Sequence, residues 1–260
     1  DPGGLLEVMQ RSREALLGVD EWLCEQAYRE SAWQYGLPMG RGAVNGVEFY
    51  PTYTDLLLLL ARYLPDPVRY LEIGVSVGKN LWQMVNVLSG AEVVGMDVEH
   101  INPALAARLG SGECLTEWPY TFTDYRGQRR ERAATLTQYT HSDNAIHYLS
   151  ADKFSDKTWE QLAGRQFNLI FSDACHKPES LEHEYAMWTR FDLLAAERFV
   201  IVWDDLTSDS MRRAFHAIAR RLAEPYPDAI IALVPLYGSY AFRENTKDIG
   251  LLMHLPEFPL

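Results

Sequence analysis

Cysteine is scarce in this chain of 260 residues: Cys24, Cys114 and Cys175 are all it has. An odd, scattered set builds no disulfide framework and no CxxC zinc pattern, so a reducing, cytoplasmic setting is the simplest expectation. Basic charge is short as well. Lys and Arg number 24 against 36 Asp and Glu, a formal net charge of −12. A duplex nucleic-acid binder usually shows a basic face, so the balance argues against that class and leaves room only for a local basic patch. Long apolar runs are missing too. The longest, Leu56 to Ala61, is far shorter than the ~20 residues that cross a bilayer, and no membrane partner is expected. The first residues also lack the basic-then-apolar order of a signal peptide. There are no internal repeats and no low-complexity tracts.

Apolar residues make up 47% of the chain, enough for one sizeable core with an appendage. Residues 1–50 read as the appendage. Apolar spacing over 5–35 predicts helices, with Asp20 a plausible N-cap. The window 35–46 holds four glycines and a proline, which reads as a loop. It either folds over a site as a lid or simply joins a helical cap to the core. The aromatics of the first helices would allow a contact between copies of the chain.

Residues 51–260 read as the main domain. Pro51 and Thr52 open a helix over 53–64, closed by Pro65 and Pro67. Strands at 68–73, 92–97, 146–149, 167–172, 198–203 and 229–235 then alternate with helices at 79–88, 155–163, 178–195 and 209–222. Such alternation implies a parallel sheet covered by helices on both faces. Runs at 237–243 and 249–255 predict a closing hairpin with at least one antiparallel strand. Residues 98–145 break the rhythm and read as an irregular insert. Its Trp118, Tyr120, Tyr125 and Tyr139 interleave with Arg126, Arg129, Arg130 and Arg132. These could stack on and pair with an anionic or sugar-like substrate, or anchor a solvated loop; binding of RNA there is a further alternative.

The stretch Glu72-Ile-Gly-Val-Ser-Val-Gly78 lies between the first strand and its helix. Such a strand, glycine turn and helix start suits a nucleotide-like ligand, because glycine lets a backbone approach closely and the helix start offers N–H groups. Two phosphate fingerprints fail. A P-loop needs four residues between its glycines and a Ser or Thr after the Lys, whereas three separate Gly74 from Gly78 and Asn80 follows Lys79. The dinucleotide fingerprint needs a middle glycine, and position 76 is Ser. What remains is an acid, a GxxxG turn, and a second acid, Asp97, where a carboxylate would hold a ribose diol.

A second constellation sits at later strand ends. Ser172-Asp-Ala-Cys-His176 follows one strand, and Trp203-Asp204-Asp205 ends the next. In a parallel sheet both share the edge of the glycine turn. Three carboxylates without an evident Lys or Arg partner repel one another, and a Mg²⁺ ion with oxygen ligands would relieve this. Asp173, Asp204 and Asp205 are therefore candidate metal ligands, although one of the Asp pair could instead cap the helix after it. His176 is a candidate general base for a substrate hydroxyl. Cys175 has no activating pair beyond this histidine, which argues against a covalent nucleophile.

The turn, the spaced acid and the strand order resemble the class I S-adenosylmethionine-dependent methyltransferases over residues 50–255. The resemblance implies a Rossmann-like, doubly wound, mostly parallel sheet of seven strands with the last antiparallel, here with an N-terminal helical cap. It implies that Glu72, Gly74, Ser76, Gly78, Asp97, Asp152 and Asp173 bind S-adenosylmethionine, with Ser150-Ala-Asp152 as the adenine-side loop. The stretch from Ser172 to Trp188 resembles the metal-dependent sugar O-methyltransferases of antibiotic biosynthesis, the macrocin and mycinamicin type. This further resemblance implies Mg²⁺ at Asp173, Asp204 and Asp205, His176 as base, and methylation of a hydroxyl on a small natural product. The long insert has no counterpart in that type. A metal-independent N- or carboxyl-methyltransferase, a metal-dependent hydroxylase of the cephalosporin type, and a binding protein on the same scaffold remain open.

Overall fold

The computed structural model describes residues 2–16, 51–123, 127–236, 247–256 and 258. The proposed lid at 36–50, most of the N-terminal cap and the run 237–243 lie outside the described residues. Those described form seven helices and nine strands: α1 (Pro2–Ala15), α2 (Tyr53–Ala61), β1 (Arg69–Ile73), α3 (Lys79–Val87), β2 (Glu92–Asp97), α4 (Pro103–Leu109), β3 (Glu113–Thr123), β4 (Arg129–His141), β5 (Asn144–Ser150), α5 (Asp156–Glu160), β6 (Leu169–Ser172), α6 (Pro178–Arg190), β7 (Phe199–Trp203), α7 (Asp209–Ala223), β8 (Ile230–Leu236) and β9 (Lys247–His254).

All nine strands join one sheet in the order β3-β4-β5-β2-β1-β6-β7-β9-β8. The five central strands are parallel neighbours, and β9 runs against both β7 and β8. This is the expected Rossmann-like set of seven, with β9 as its antiparallel last strand. Alternation along each strand feeds two cores. Tyr70, Val93 and Phe171 pack beneath α1 to α4. Leu71, Ile73, Met96 and Ile201 pack beneath α5 to α7. Helices thus cover both faces, as the βα alternation requires.

One sequence reading needs correction. Residues 98–145 are not irregular. After α4 they form a long antiparallel hairpin, β3 with β4, which adds two strands beside β5. The described neighbours of β9 are β7 and β8, and the predicted strand-like run 237–243 lies outside the described residues.

Local chemistry sets the helix starts. Thr52 and Asp55 form a capping box at α2, in which each side chain accepts the other residue's backbone N–H. Asp55 is buried and receives two guanidinium nitrogens of Arg13, each at 2.8 Å, which fastens α1 to the domain. Ser208 caps α7 by accepting from Met211 N. Neither Asp204 nor Asp205 is therefore needed as that cap.

Candidate active site

Strands β5, β2, β1, β6 and β7 run in parallel, so their C-terminal ends share one edge. The chain leaves β1 towards β2 on one side and returns to β6 on the other. That reversal opens a crevice between β1 and β6, the usual ligand position in such sheets. Glu72, Gly74, Ser76, Gly78, Asp97, Asp152, Asp173, Asp204 and Asp205 all lie at or just beyond this edge.

The glycine turn is held from both sides. Gly74 has φ +91° and Gly78, before α3, has φ +87°. A Cβ on Gly74 would stand 2.5 Å from the Asp173 carbonyl oxygen and 2.6 Å from Ala174 N and Cα. The approach that requires glycine here is that of the chain's own loop after β6. Asp173 N donates to Ile73 O at 2.7 Å, joining the two loops at the crevice. Ser76 also sits in the left-handed region, at φ 54°, which costs a non-glycine residue about 1–2 kcal/mol. Its N–H is directed at Asp97 Oδ2, 2.8 Å away.

Asp97 accepts a second backbone bond at Oδ1 from Glu99 N, 2.8 Å. Burial nevertheless raises its pKa to about 6. Glu72 is fully enclosed and accepts from the Tyr70 hydroxyl at 3.0 Å. Asn80 donates to that hydroxyl and accepts from Thr54. Burial pushes Glu72 up to about 8, with Asp173 and Asp97 adding repulsion. Asp152 is spent locally, its Oδ1 accepting from Phe154 N at 2.9 Å. The next residue, Lys153, is buried in an ion pair with Glu184 of α6 and bonds Ser180 as well.

The acid cluster differs from expectation in one respect. The three carboxylates do not lack a basic partner. Lys247, the first residue of β9, places Nζ 2.6 Å from Asp205 Oδ1 and 3.7 Å from Asp204 Oδ2. Asp205, two residues past the end of β7, sits in the left-handed region at φ 55°. His176 bridges the rest, with Nδ1 2.9 Å from Asp205 Oδ2 and Nε2 3.2 Å from Asp173 Oδ1. Hydrogen bonds to these carboxylates raise its pKa to about 10, so both ring nitrogens carry protons at neutral pH. Burial works to raise Asp205, but the bonds from His176 and Lys247 win and hold it at about 2. Burial and the neighbouring Asp173 lift Asp204 to about 7. Asp204 Oδ1 is buried with no hydrogen-bond partner among the described residues.

Lys247 stands on Asp205, and among the described residues Asp173, His176 and Asp205 form a group that could hold a metal ion. The ligand atoms that lie within 4.8 Å of one another belong to Asp173, His176 and Asp205, a set that leaves out Asp204.

The aromatic and basic insert is engaged with its own fold. Tyr120 Oη donates to Val98 O at 2.8 Å and accepts from Arg132. Arg132 also pairs with Glu99 at 2.9 Å. The β3–β4 hairpin is thereby tied to the loop that follows Asp97. Trp118 and Tyr139 are buried, and Tyr125 and Arg126 lie outside the described residues. Tyr53 packs in the core, its ring centroid 4.7 Å from that of Phe171.

Sequence reasoning missed Lys247, Tyr70 and the Lys153–Glu184 pair. Only Tyr70 had a local signal, two residues before Glu72 on the same strand face. The other partners meet through the sheet and α6.

No family model matches the chain, and no curated protein matches it. Among solved structures it is similar to an O-methyltransferase from Bacillus cereus in complex with SAH, at 16% identity and a TM-score of 0.47, covering 91% of this chain and 96% of that one. It is also similar to the plantazolicin methyltransferase BpumL in complex with SAH, at 10% identity and a TM-score of 0.47, covering 95% and 96%. A third is the magnesium protoporphyrin IX methyltransferase ChlM from Synechocystis PCC 6803 with bound SAM, at 11% identity and a TM-score of 0.45, covering 92% and 96%. What those proteins bind is a property of each of them. The functional reading of this chain rests on its own strand order and side chains.

Proposed function

We propose that the chain is an S-adenosylmethionine-dependent O-methyltransferase that acts on a hydroxyl of a small, natural-product-like molecule, sugar-bearing in the form the resemblance suggests. One observation carries the reading. At a single strand edge, an acidic strand end, a GxxxG turn locked by Asp97 and a cluster of three carboxylates stand side by side. The residues suit the cofactor: the glycine turn offers backbone, and Asp97, half-exposed, keeps unused lone pairs for a ribose diol.

When bound, S-adenosylmethionine supplies an electrophilic methyl group. This chain's residues do the rest. Gly74, Ser76 and Gly78 shape the turn against which the cofactor's amino-acid end lies. Asp97 holds the ribose, and Asp152 and its loop border the adenine. Glu72, uncharged near neutral pH, braces the turn through Tyr70 and Asn80. The acceptor's oxygen is oriented by Asp173, Asp204 and His176 at the crevice. His176 begins as an imidazolium. It takes the acceptor's proton only after passing one of its own to Asp173, which it already touches and whose pKa burial raises. Residues 36–50 and the insert 98–145 are proposed to wall the acceptor pocket and hold water out. The setting is proposed to be cytoplasmic.

A second reading adds Mg²⁺ at Asp173, Asp204 and Asp205, as the macrocin-type resemblance implies. The unpartnered Asp204 Oδ1 favours it, and the ion would have to displace Lys247. Formation of S-adenosylhomocysteine with a panel of hydroxylated acceptors tests the function. Turnover that persists in EDTA supports the first reading, and turnover abolished by EDTA and restored by Mg²⁺ supports the second. Absence of product with every acceptor, in EDTA and with Mg²⁺ alike, would count against both.

A further inference from the structure

We propose that the Lys247 ammonium is the resident cation of the acidic cluster at the ends of β6 and β7, standing where a divalent ion would otherwise sit. The sheet itself delivers it. Strand β9 lies antiparallel to β7 with Trp203 opposite Gly250, and Leu206 N donates to Asp248 O at 3.2 Å. The start of β9 is thereby held beside the turn that carries Asp204 and Asp205. Lys247 Nζ touches one oxygen of Asp205 at 2.6 Å and faces one of Asp204 at 3.7 Å. The other oxygen of Asp205 is taken by His176 Nδ1 at 2.9 Å.

Both oxygens of the central carboxylate are therefore already engaged, one by the ammonium and one by the imidazole ring. A Mg²⁺ or Mn²⁺ ion needs several oxygens close by, about 2.0–2.1 Å for Mg²⁺, and repels an ammonium placed on those same oxygens. Ion and ammonium exclude one another. Lys247 acts as a positioning residue: it fixes the carboxylates that face the crevice and leaves them without need of a metal. The inference concerns the cluster alone and does not depend on methyl transfer.

The test is a titration of the full chain with Mn²⁺, read by the electron paramagnetic resonance of the free ion, with no donor or acceptor present. The wild-type chain is expected to bind Mn²⁺ only weakly, with Lys247→Arg behaving alike because it keeps the charge. Lys247→Met should bind one ion per chain at least about tenfold more tightly, and Lys247→Met with Asp205→Asn should lose that gain. A merely structural role for Lys247 would give no gain of ion binding. Tight binding by the wild-type chain, unchanged in Lys247→Met, would overturn the inference. If Lys247→Met does not fold, the wild-type and Lys247→Arg titrations decide alone: weak binding supports the resident ammonium, and tight binding refutes it.

Discussion

Replacing Gly74 by alanine tests the contact on which the whole crevice depends. The new Cβ would lie 2.5 Å from the Asp173 carbonyl oxygen and 2.6 Å from two backbone atoms of Ala174. None of these can rotate aside. Reaching an ordinary C···O separation of ~3.3 Å moves the two loops apart by about 0.8 Å. The residue must also keep φ near +91°, which costs an alanine about 1–2 kcal/mol. Loosening the bond from Asp173 N to Ile73 O adds about 1 kcal/mol. The sum is about 2–3 kcal/mol, which for a chain of this size lowers the melting temperature by roughly 4–12 °C. The same shift carries the loop that holds Asp173 and His176 away from the glycine turn. Scanning calorimetry, paired with calorimetric titration of S-adenosylhomocysteine, reads both effects. Gly78→Ala is the control. Its Cβ would meet the buried Leu105 side chain at 2.3 Å instead of backbone, so it should destabilise without moving the β6 loop. A Gly74→Ala chain that melts within a degree of wild type and binds the ligand equally well would refute the reasoning.

Three further outcomes follow from the charges. Glu72 has its pKa raised from 4.5 to about 8, so the unfolded chain releases this proton first and the fold loses stability as pH rises from 4.5 towards 8. Glu72→Gln should therefore raise the melting temperature more at pH 8 than at pH 5, and an equal change at both would contradict the assignment. His176, raised to about 10, contributes stability that is complete below 6.5 and is lost as pH rises through about 10. Its ring resonances should show an imidazolium at pH 8, and a midpoint near 6.5 would show that the bridge to Asp173 and Asp205 is absent. Arg13→Met leaves Asp55 buried without its guanidinium and should cost about 3–5 kcal/mol in urea unfolding; a loss under 1 kcal/mol would show that the capping box alone satisfies Asp55.

The order of the parallel core was legible because each strand is a short apolar run bounded by glycine, proline or acid, and each helix carries its own period. The glycine turn was legible for the same local reason. The hairpin at 113–141 was not. Its second strand opens with Arg129, Arg130, Glu131 and Arg132, all exposed or half-exposed, and its first contains Pro119. Such segments read as loop until a neighbouring strand pairs with them. The pairing of β9 with β8 was not legible because strand pairing across a connection leaves no trace in either strand's own pattern. At the site, the residue types and the shared strand edge came from the sequence, whereas the charge balance did not. Lys247 lies 42 positions beyond Asp205, and only the antiparallel return of β9 brings them together. The premise that the acids lacked a cation failed there, and with it the simplest argument for a metal.

The central claim is that the edge formed by β1, β2 and β6 holds S-adenosylmethionine. Calorimetric titration of the purified chain with S-adenosylhomocysteine tests it most directly. The account predicts one site per chain, with affinity weakened at least about tenfold in Asp97→Ala and little changed in Lys247→Arg. No binding by the wild-type chain, or binding to which Asp97 makes no difference, would contradict it.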